Sequence, residues 1–237
     1  MRNARDMLKR SVFVESIPAI LWGPPSGDVY IFVHGKMSRK EDAEAFARIA
    51  ADKKHQVISF DLPGHGERKT GKAECTVQDG VHDLSTIGDF VKHKWNNVSL
   101  FGCSLGAYFS LAAYQDLEFA KCLFLSPILD MGHLIKNTMK LFNVSEESLK
   151  EKGEIPTPTG DTLSWQYYAY VKEHPILKWE NKTHILYGSN DNLTERSIVD
   201  DFSTRFHVDL EVLENGEHHF HTREQLEFLD KWLRRNA

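Results

Sequence analysis

Two rhythms of apolar positions alternate along the chain. Short apolar runs bounded by Gly, Pro, Asn or Asp recur as "SVFVES", "IPAILWG", "DVYIFVHG", "HQVISFDLPG", "NVSLFG", "KCLFLSPI", "THILYGSND" and "VDLEVLE". Runs of this length, rich in Val, Ile and Phe, predict buried strands. Between them the spacing changes to three and four. Phe46, Ile49 and Ala50 share one helical face behind Ser38-Arg39-Lys40-Glu41, which has capping-box spacing. Val81, Leu84, Gly88 and Val91 share another between Val77 and Trp95, and "SLGAYFSLAAYQ" and Thr194 to Phe206 predict further helices. The final helix opens at a second capping-box pattern, Thr222-Arg223-Glu224-Gln225, and is expected to bury Leu226, Leu229 and Leu233.

Alternation of this kind predicts an α/β fold, a mostly parallel central sheet flanked by helices. Ligand sites in such sheets lie outside the carboxyl ends of the strands, so the loops that follow strands are where chemistry is expected. One segment breaks the rhythm. From Asp130 to Glu180, roughly fifty residues separate two strands where about two to six would serve. Within it Ile135, Met139 and Phe142 recur at helical spacing, Pro156, Pro158 and Gly160 mark a loop, and Trp165, Tyr168 and Val171 recur again. The expectation is a core of residues 1–129 and 181–237, with 130–180 inserted as a helical cap between the sixth and seventh strands.

Composition narrows the class. With 237 residues, 41% hydrophobic and 27% charged, the chain suits one sizeable globular domain. A net charge of −5 argues against nucleic acid or an anionic membrane surface as partner. No apolar run approaches the ~18 residues of a membrane span, so no integral membrane association is expected. "MRNARDMLKRSVFVES" is charged without a long apolar stretch and predicts no secretory leader. Cys75, Cys103 and Cys122 are odd in number and widely spaced, which favours reduced thiols and a cytoplasmic location. Nothing in the sequence fixes an oligomeric state.

Gly102-Cys103-Ser104-Leu105-Gly106 stands where a predicted strand meets a predicted helix. Gly-x-Ser-x-Gly alone arises by chance in about one chain in twelve of this size, given Gly and Ser each near 7%. At a strand-to-helix corner the pattern gains meaning: the central residue takes a strained backbone, and small neighbours let strand and helix approach. Ser104 is central. Cys103 occupies the preceding position, and alternation along an extended chain points it the other way; a free Cys is commonly a small buried apolar residue.

A serine hydroxyl needs a base and an orienting carboxylate to react. Asp191 ends "ILYGSND" on a loop at the expected sheet edge, although an Asx-turn or N-cap would use Asp equally well. "LENGEHHFHT" then supplies His218, His219 and His221 between the last strand and the last helix. His221 adjoins the expected N-cap, which leaves His218 and His219. These histidines lack the i, i+4 pair or Cys partners of a metal site, so no metal is expected. The order Ser, Asp, His on three separate loops is the order described for α/β-hydrolases. Two backbone N–H donors for an oxyanion are expected from Leu105 and, after "VHG", from Lys36, whose side chain is read as solvated. "GPPSG" has no following Gly-Lys-Ser/Thr and is no phosphate loop.

"VHGK", "FDLPGHGER", "GCSLGA", "YGSNDNL" and "GEHHFHT" together resemble the α/β-hydrolase superfamily over nearly the whole chain. The resemblance is to a serine esterase/lipase-like member with a helical cap. It implies Ser104 as nucleophile, Asp191 as acid and His218 as base, because in similar proteins an aromatic often stands two positions after the histidine, as Phe220 does here. It makes the loop containing His65 mainly structural. Cys103 replaces a commoner His or polar residue, and "HGK" lacks extra glycines, so the likeness does not extend to bulky tertiary-alcohol esters. The implied activity is cleavage of carboxylic esters, small acyl or aryl, with no cofactor; an aminopeptidase, a thioesterase or a non-catalytic ligand-binding protein are the alternatives. Met139, Phe142, Trp165 and Tyr168, with Tyr167, are candidate cap residues against the substrate.

Overall fold

A computed structural model describes residues 7–69 and 75–237; part of the N-terminal segment read above as lacking a leader lies outside the described residues. The strands among them are β1 (Lys9–Val14), β2 (Ile17–Trp22), β3 (Asp28–Val33), β4 (Gln56–Phe60), β5 (Asn97–Cys103), β6 (Cys122–Leu125), β7 (Glu154–Pro156), β8 (Thr162–Ser164), β9 (Thr183–Asn190) and β10 (Asp209–Glu217). The helices are α1 (Glu44–Asp52), α2 (Val77–Lys92), α3 (Leu105–Ala113), α4 (Met131–Leu141), α5 (Glu146–Lys152), α6 (Trp165–Glu173), α7 (Arg196–Phe206) and α8 (Arg223–Asn236).

Eight strands form one sheet in the order β1-β2-β4-β3-β5-β6-β9-β10, antiparallel at β1–β2 and β2–β4 and parallel from β4 to β10. Both faces are covered, which explains why β2 and most of β3 read as unbroken apolar runs, and why β4 is buried throughout. On one face Phe46 and Ile49 of α1 and Trp232 and Leu233 of α8 pack on Trp22, Tyr30 and Phe101. On the other, Leu84 and Ile87 of α2, Phe109 of α3 and Phe202 of α7 pack on Ile31, Ile58 and Leu100. Each such fully buried side chain contributes about 1.5–3 kcal/mol. Thr222 and Gln225 form the expected capping box of α8. Leu233 is buried as expected and Leu229 is half-buried, but Leu226 is exposed, and the buried stripe of α8 includes Trp232.

The first capping box also differs from expectation. Ser38 caps nothing: its hydroxyl donates to Asp42 Oδ2, and the Arg39 N–H reaches the same carboxylate at 3.1 Å. Lys40–Ala43 winds as a tight 3-10 turn before α1. The cause is Lys40, which turns inward. Its ammonium lies 2.7 Å from Asp61 Oδ2 and 2.7 Å from Glu67 Oε1, with Lys40 and Asp61 side chains only 4% and 0% exposed. Burial alone would raise the Asp61 carboxyl, but its bonds to Lys40 Nζ and to the Lys40 and Glu67 N–H groups outweigh that and hold it below the usual carboxylate range.

Residues Met131 to Glu173 stand between the sixth and seventh sheet strands, β6 and β9. They form α4, α5, the β7–β8 hairpin and α6, with a small core of their own from Met139, Leu149, Leu163 and Tyr168. Among the described residues no helix is long and apolar enough to cross a membrane.

Candidate active site

Strand β5 ends at Cys103 and α3 begins at Leu105, so Ser104 alone makes the turn. Its φ of 49° and ψ of −115° lie where a side chain costs about 1–3 kcal/mol. The corner is over-determined by its bonds: Ser104 N–H donates to Leu125 O at 3.0 Å, and Ser104 O accepts from Ala107 at 3.1 Å and Ile128 at 3.3 Å. It is also too tight for anything but glycine on either side. A Cβ on Gly102 would lie 2.8 Å from Ala107 Cα, and one on Gly106 would lie 2.4 Å from the Val33 and His34 oxygens.

From this corner a line of hydrogen bonds crosses two loops. Ser104 Oγ lies 2.8 Å from His218 Nε2, and His218 Nδ1 lies 2.7 Å from Asp191 Oδ2. An ionised carboxylate can only accept, so Nδ1 carries the proton and Nε2 offers its lone pair to the serine hydroxyl. Asp191 is fully buried, and its other oxygen accepts the N–H groups of Leu193 at 2.8 Å and Thr194 at 3.0 Å. The Asx-turn that competed with a chemical role for Asp191 is therefore present alongside the histidine contact. The two loops meet because β10 slips register between Leu213 and Glu217, and because Gly188 admits the Gly216 carbonyl; a Cβ there would come within 2.4 Å of it. Of the neighbouring histidines, His219 and His221 are exposed and stack on each other, and His221 Nδ1 lies 3.1 Å from Glu217 Oε2.

Ser104 forms part of the floor of a cavity of about 430 Å³ between the sheet's carboxyl edge and the inserted segment. Leu105 and Lys36 line it too, and among the described residues neither main-chain N–H donates to another protein group. The Lys36 loop is held by His34, whose Nδ1–H donates to Gly35 O at 2.7 Å while Nε2 accepts from Leu62 N–H at 3.1 Å. Burial lowers His34 to about 4, so it stays neutral in this clamp. The Lys36 side chain is not merely solvated: its ammonium pairs with Asp161 in the turn between β7 and β8, across the mouth of the cavity.

The apolar wall differs from the expected one. Met131, Leu134, Ile135 and Thr138 of α4 face the cavity with Ile128, Leu163 and Tyr167. Met139 and Tyr168 instead fill the insert's own core, where Tyr168 OH donates to Glu146 at 3.1 Å. Trp165 packs against that core, and Phe142 ends α4; neither lines the cavity. The insert must bury an interior before it can cover anything, and that interior takes Met139 of α4 and Tyr168 of α6, with Ile135 and Trp165 packed against it. The cavity stripe at 131, 134, 135 and 138 has i, i+3, i+4, i+7 spacing and was the signal available.

Cys103 is half-buried and packs against the core cluster of Phe101 and Leu123, and desolvation pushes its thiol up to about 12. A thiol that does not ionise is a poor nucleophile. Cys103→Ala will accordingly keep any Ser104-dependent turnover within about fivefold of wild type, and iodoacetamide will not alkylate Cys103 in the native protein. Rapid inactivation by alkylation at Cys103 would contradict this assignment.

The fold and these contacts frame the comparison with known proteins. A family model described as the alpha/beta hydrolase family matches residues 30–230. The chain belongs to the alpha/beta hydrolase family. No curated protein matches it by sequence. Among solved structures, this hydrolase-family chain resembles Est1E from Butyrivibrio proteoclasticus with ferulic acid bound, at 16% identity and a TM-score of 0.77 over 95% of this chain and 96% of that one. It also resembles alpha/beta hydrolase domain-containing protein 10 from mouse, at 19% identity and 0.71 over 97% of both chains. A third is the Pyrococcus furiosus esterase Pf2001, at 20% and 0.66 over 97% of this chain and 90% of that one. At such identities the likenesses speak for the fold.

Proposed function

We propose that this family member is a serine hydrolase, carboxylesterase-like, acting on esters of small acyl or aryl acids. The observation that carries the reading is the unbroken Ser104–His218–Asp191 hydrogen-bond line opening into a cavity that also presents two unspent N–H groups. Ser104 Oγ attacks the ester carbonyl carbon while its proton passes to His218 Nε2. The oxyanion is held by the Leu105 and Lys36 N–H groups. Collapse breaks the bond to the alcohol oxygen, which leaves with the proton from Nε2. Water then enters, gives a proton to Nε2 and attacks the acyl-enzyme, and the acid departs as Ser104 is reprotonated. Asp191 keeps Nδ1 protonated and stabilises the imidazolium throughout. No step draws on a metal or organic cofactor.

Residues 130–180 act as the cap over a core of 1–129 and 181–237. Support comes from the side chains of α4 and of the hairpin around the cavity, and from the Lys36–Asp161 pair that ties the hairpin to the core. An apolar wall of this kind suits a small acyl chain or a ring, and Est1E holds ferulic acid, an aromatic acid. Three free thiols suit a reducing, cytoplasmic setting.

The test combines a fluorophosphonate probe with a substrate panel. Ser104 becomes the labelled residue, and p-nitrophenyl esters of short or aryl acids turn over faster than aminoacyl anilides and acyl thioesters. Turnover confined to the aminoacyl or thioester set would reassign the enzyme, and absence of label at Ser104 would make the protein a non-catalytic binder.

A further inference from the structure

His65 lines the cavity and His34 stands beside it, and the two differ in how their ring nitrogens are used. His34 and His65 stand 5.2 Å apart between ring centres. Both nitrogens of His34 are spent on main-chain groups. His65 spends one. Its Nδ1 lies 2.8 Å from Pro63 O, and a carbonyl can only accept, so Nδ1 carries the proton and the neutral ring has its lone pair on Nε2. Among the described residues nothing in the protein donates to that nitrogen. Among the described residues, the buried side-chain atoms left without partners are His55 Nδ1, Gln78 Oε1 and Ser126 Oγ. His65 is only 7% exposed and lines the cavity that contains Ser104.

Sheet order says which part of a substrate can reach it. Asp191 and His218 follow β9 and β10 on one side of β5, whereas Lys36 and His65 follow β3 and β4 on the other. A leaving alcohol must sit beside His218 Nε2 to take its proton. What reaches across the oxyanion donors toward His65 therefore belongs to the acyl half.

We infer that His65 is a specificity residue whose Nε2 accepts a hydrogen bond from a hydroxyl carried by the acyl group. This rests on the esterase reading above and narrows it to esters of hydroxylated acids. An unsubstituted chain of the same length strips water from Nε2 and returns no hydrogen bond, and that unpaired acceptor is the source of the discrimination. The cavity also carries Thr138, Asp161, Thr162, Ser164 and Tyr167 as competing acceptors, so the assignment to His65 is decided by variants at His65 itself.

Matched p-nitrophenyl esters test this with the leaving group held constant: butyrate against 3-hydroxybutyrate, and hexanoate against 6-hydroxyhexanoate, two reaches along the cavity. In the wild-type protein at least one hydroxy ester is favoured in kcat/KM by about three- to tenfold. In His65→Phe that ratio falls to about one through loss on the hydroxy ester, while the plain ester and fluorophosphonate labelling of Ser104 are retained. His65→Phe also removes the bond to Pro63 O and can loosen the loop. His65→Asn keeps an N–H for that carbonyl but is too short to present an acceptor to the cavity, and it should show the same collapse. Equal handling of plain and hydroxy esters by the wild type overturns the inference, as does a preference that survives both variants in protein that still labels. Failure of the wild type to hydrolyse any of the four esters overturns the esterase reading itself.

Discussion

Ser104→Ala will lower kcat/KM for a p-nitrophenyl ester by about 10⁴- to 10⁶-fold and abolish fluorophosphonate labelling, with the fold intact. The magnitude follows from how the group works as a unit. On the proposed mechanism His218 and Asp191 act only through the Ser104 hydroxyl, at 2.8 Å and then 2.7 Å, so removing the oxygen would silence the other two at once. What survives is the stabilisation from the Leu105 and Lys36 N–H donors, which act on any attacking water. Stability should barely move. The strained corner is set by Gly102, Gly106 and the main-chain bonds of residue 104, none of which uses the hydroxyl. Alanine carries the same φ penalty as serine at 49°. A melting temperature within a few degrees of wild type, about 1 kcal/mol or less, is the control. Retention of more than about a tenth of the activity would move the reaction to another residue.

The residues of this line were readable in the sequence because each depends on local chemistry that leaves a local mark. Ser104 needs glycines two positions away on both sides; Asp191 and a histidine after β10 need only to follow a strand at the right edge, and the family resemblance separated His218 from His219. The strand–helix alternation was equally plain, since a sheet covered on both faces writes unbroken apolar runs such as "IPAILW". What the sequence hid were the contacts between distant segments. The partner of Lys36 is 125 positions away, and Ser38 lost its cap to the inward turn of Lys40, a residue type that is rarely buried. The cap residues show the same boundary. Periodicity identifies an apolar face on α4 and α6, but Tyr167 reaches the cavity while Tyr168, one position on and about 100° round the helix, reaches the insert's interior. His65 looked like loop structure because its Nδ1 bond to Pro63 O is loop structure; the other nitrogen becomes visible only once the cavity is.

Lys40→Met will destabilise the protein by about 3–5 kcal/mol near neutral pH, because it leaves a buried carboxylate without its counter-charge. Asp61 is fully buried, and Lys40 is the cation within its reach, at 2.7 Å. In a domain of this size that loss corresponds to a fall in melting temperature of roughly 6–20 °C. The exposed Lys36–Asp161 pair, by contrast, is worth less than about 1 kcal/mol, so burial and not pairing sets the scale. The sign of the pH dependence separates this cause from simple loss of packing. In the wild type the Asp61 value is depressed on folding, so its contribution is present above the ordinary carboxylate range and is lost as pH falls through the folded value. In Lys40→Met the unpaired, desolvated Asp61 has its value raised instead, and protonation relieves the strain. The gap in unfolding free energy between the two proteins will therefore narrow as the pH is lowered through the carboxylate range. Adding Asp61→Asn to Lys40→Met removes the stranded charge and keeps an oxygen for one of the two N–H groups that Asp61 accepts, at position 40 and Glu67, while the amide NH2 faces the other; it should recover part of the loss at pH 7. A gap that stays constant with pH, and a double variant no better than the single, would mean that the Lys40 stem matters for its packing and not for its charge.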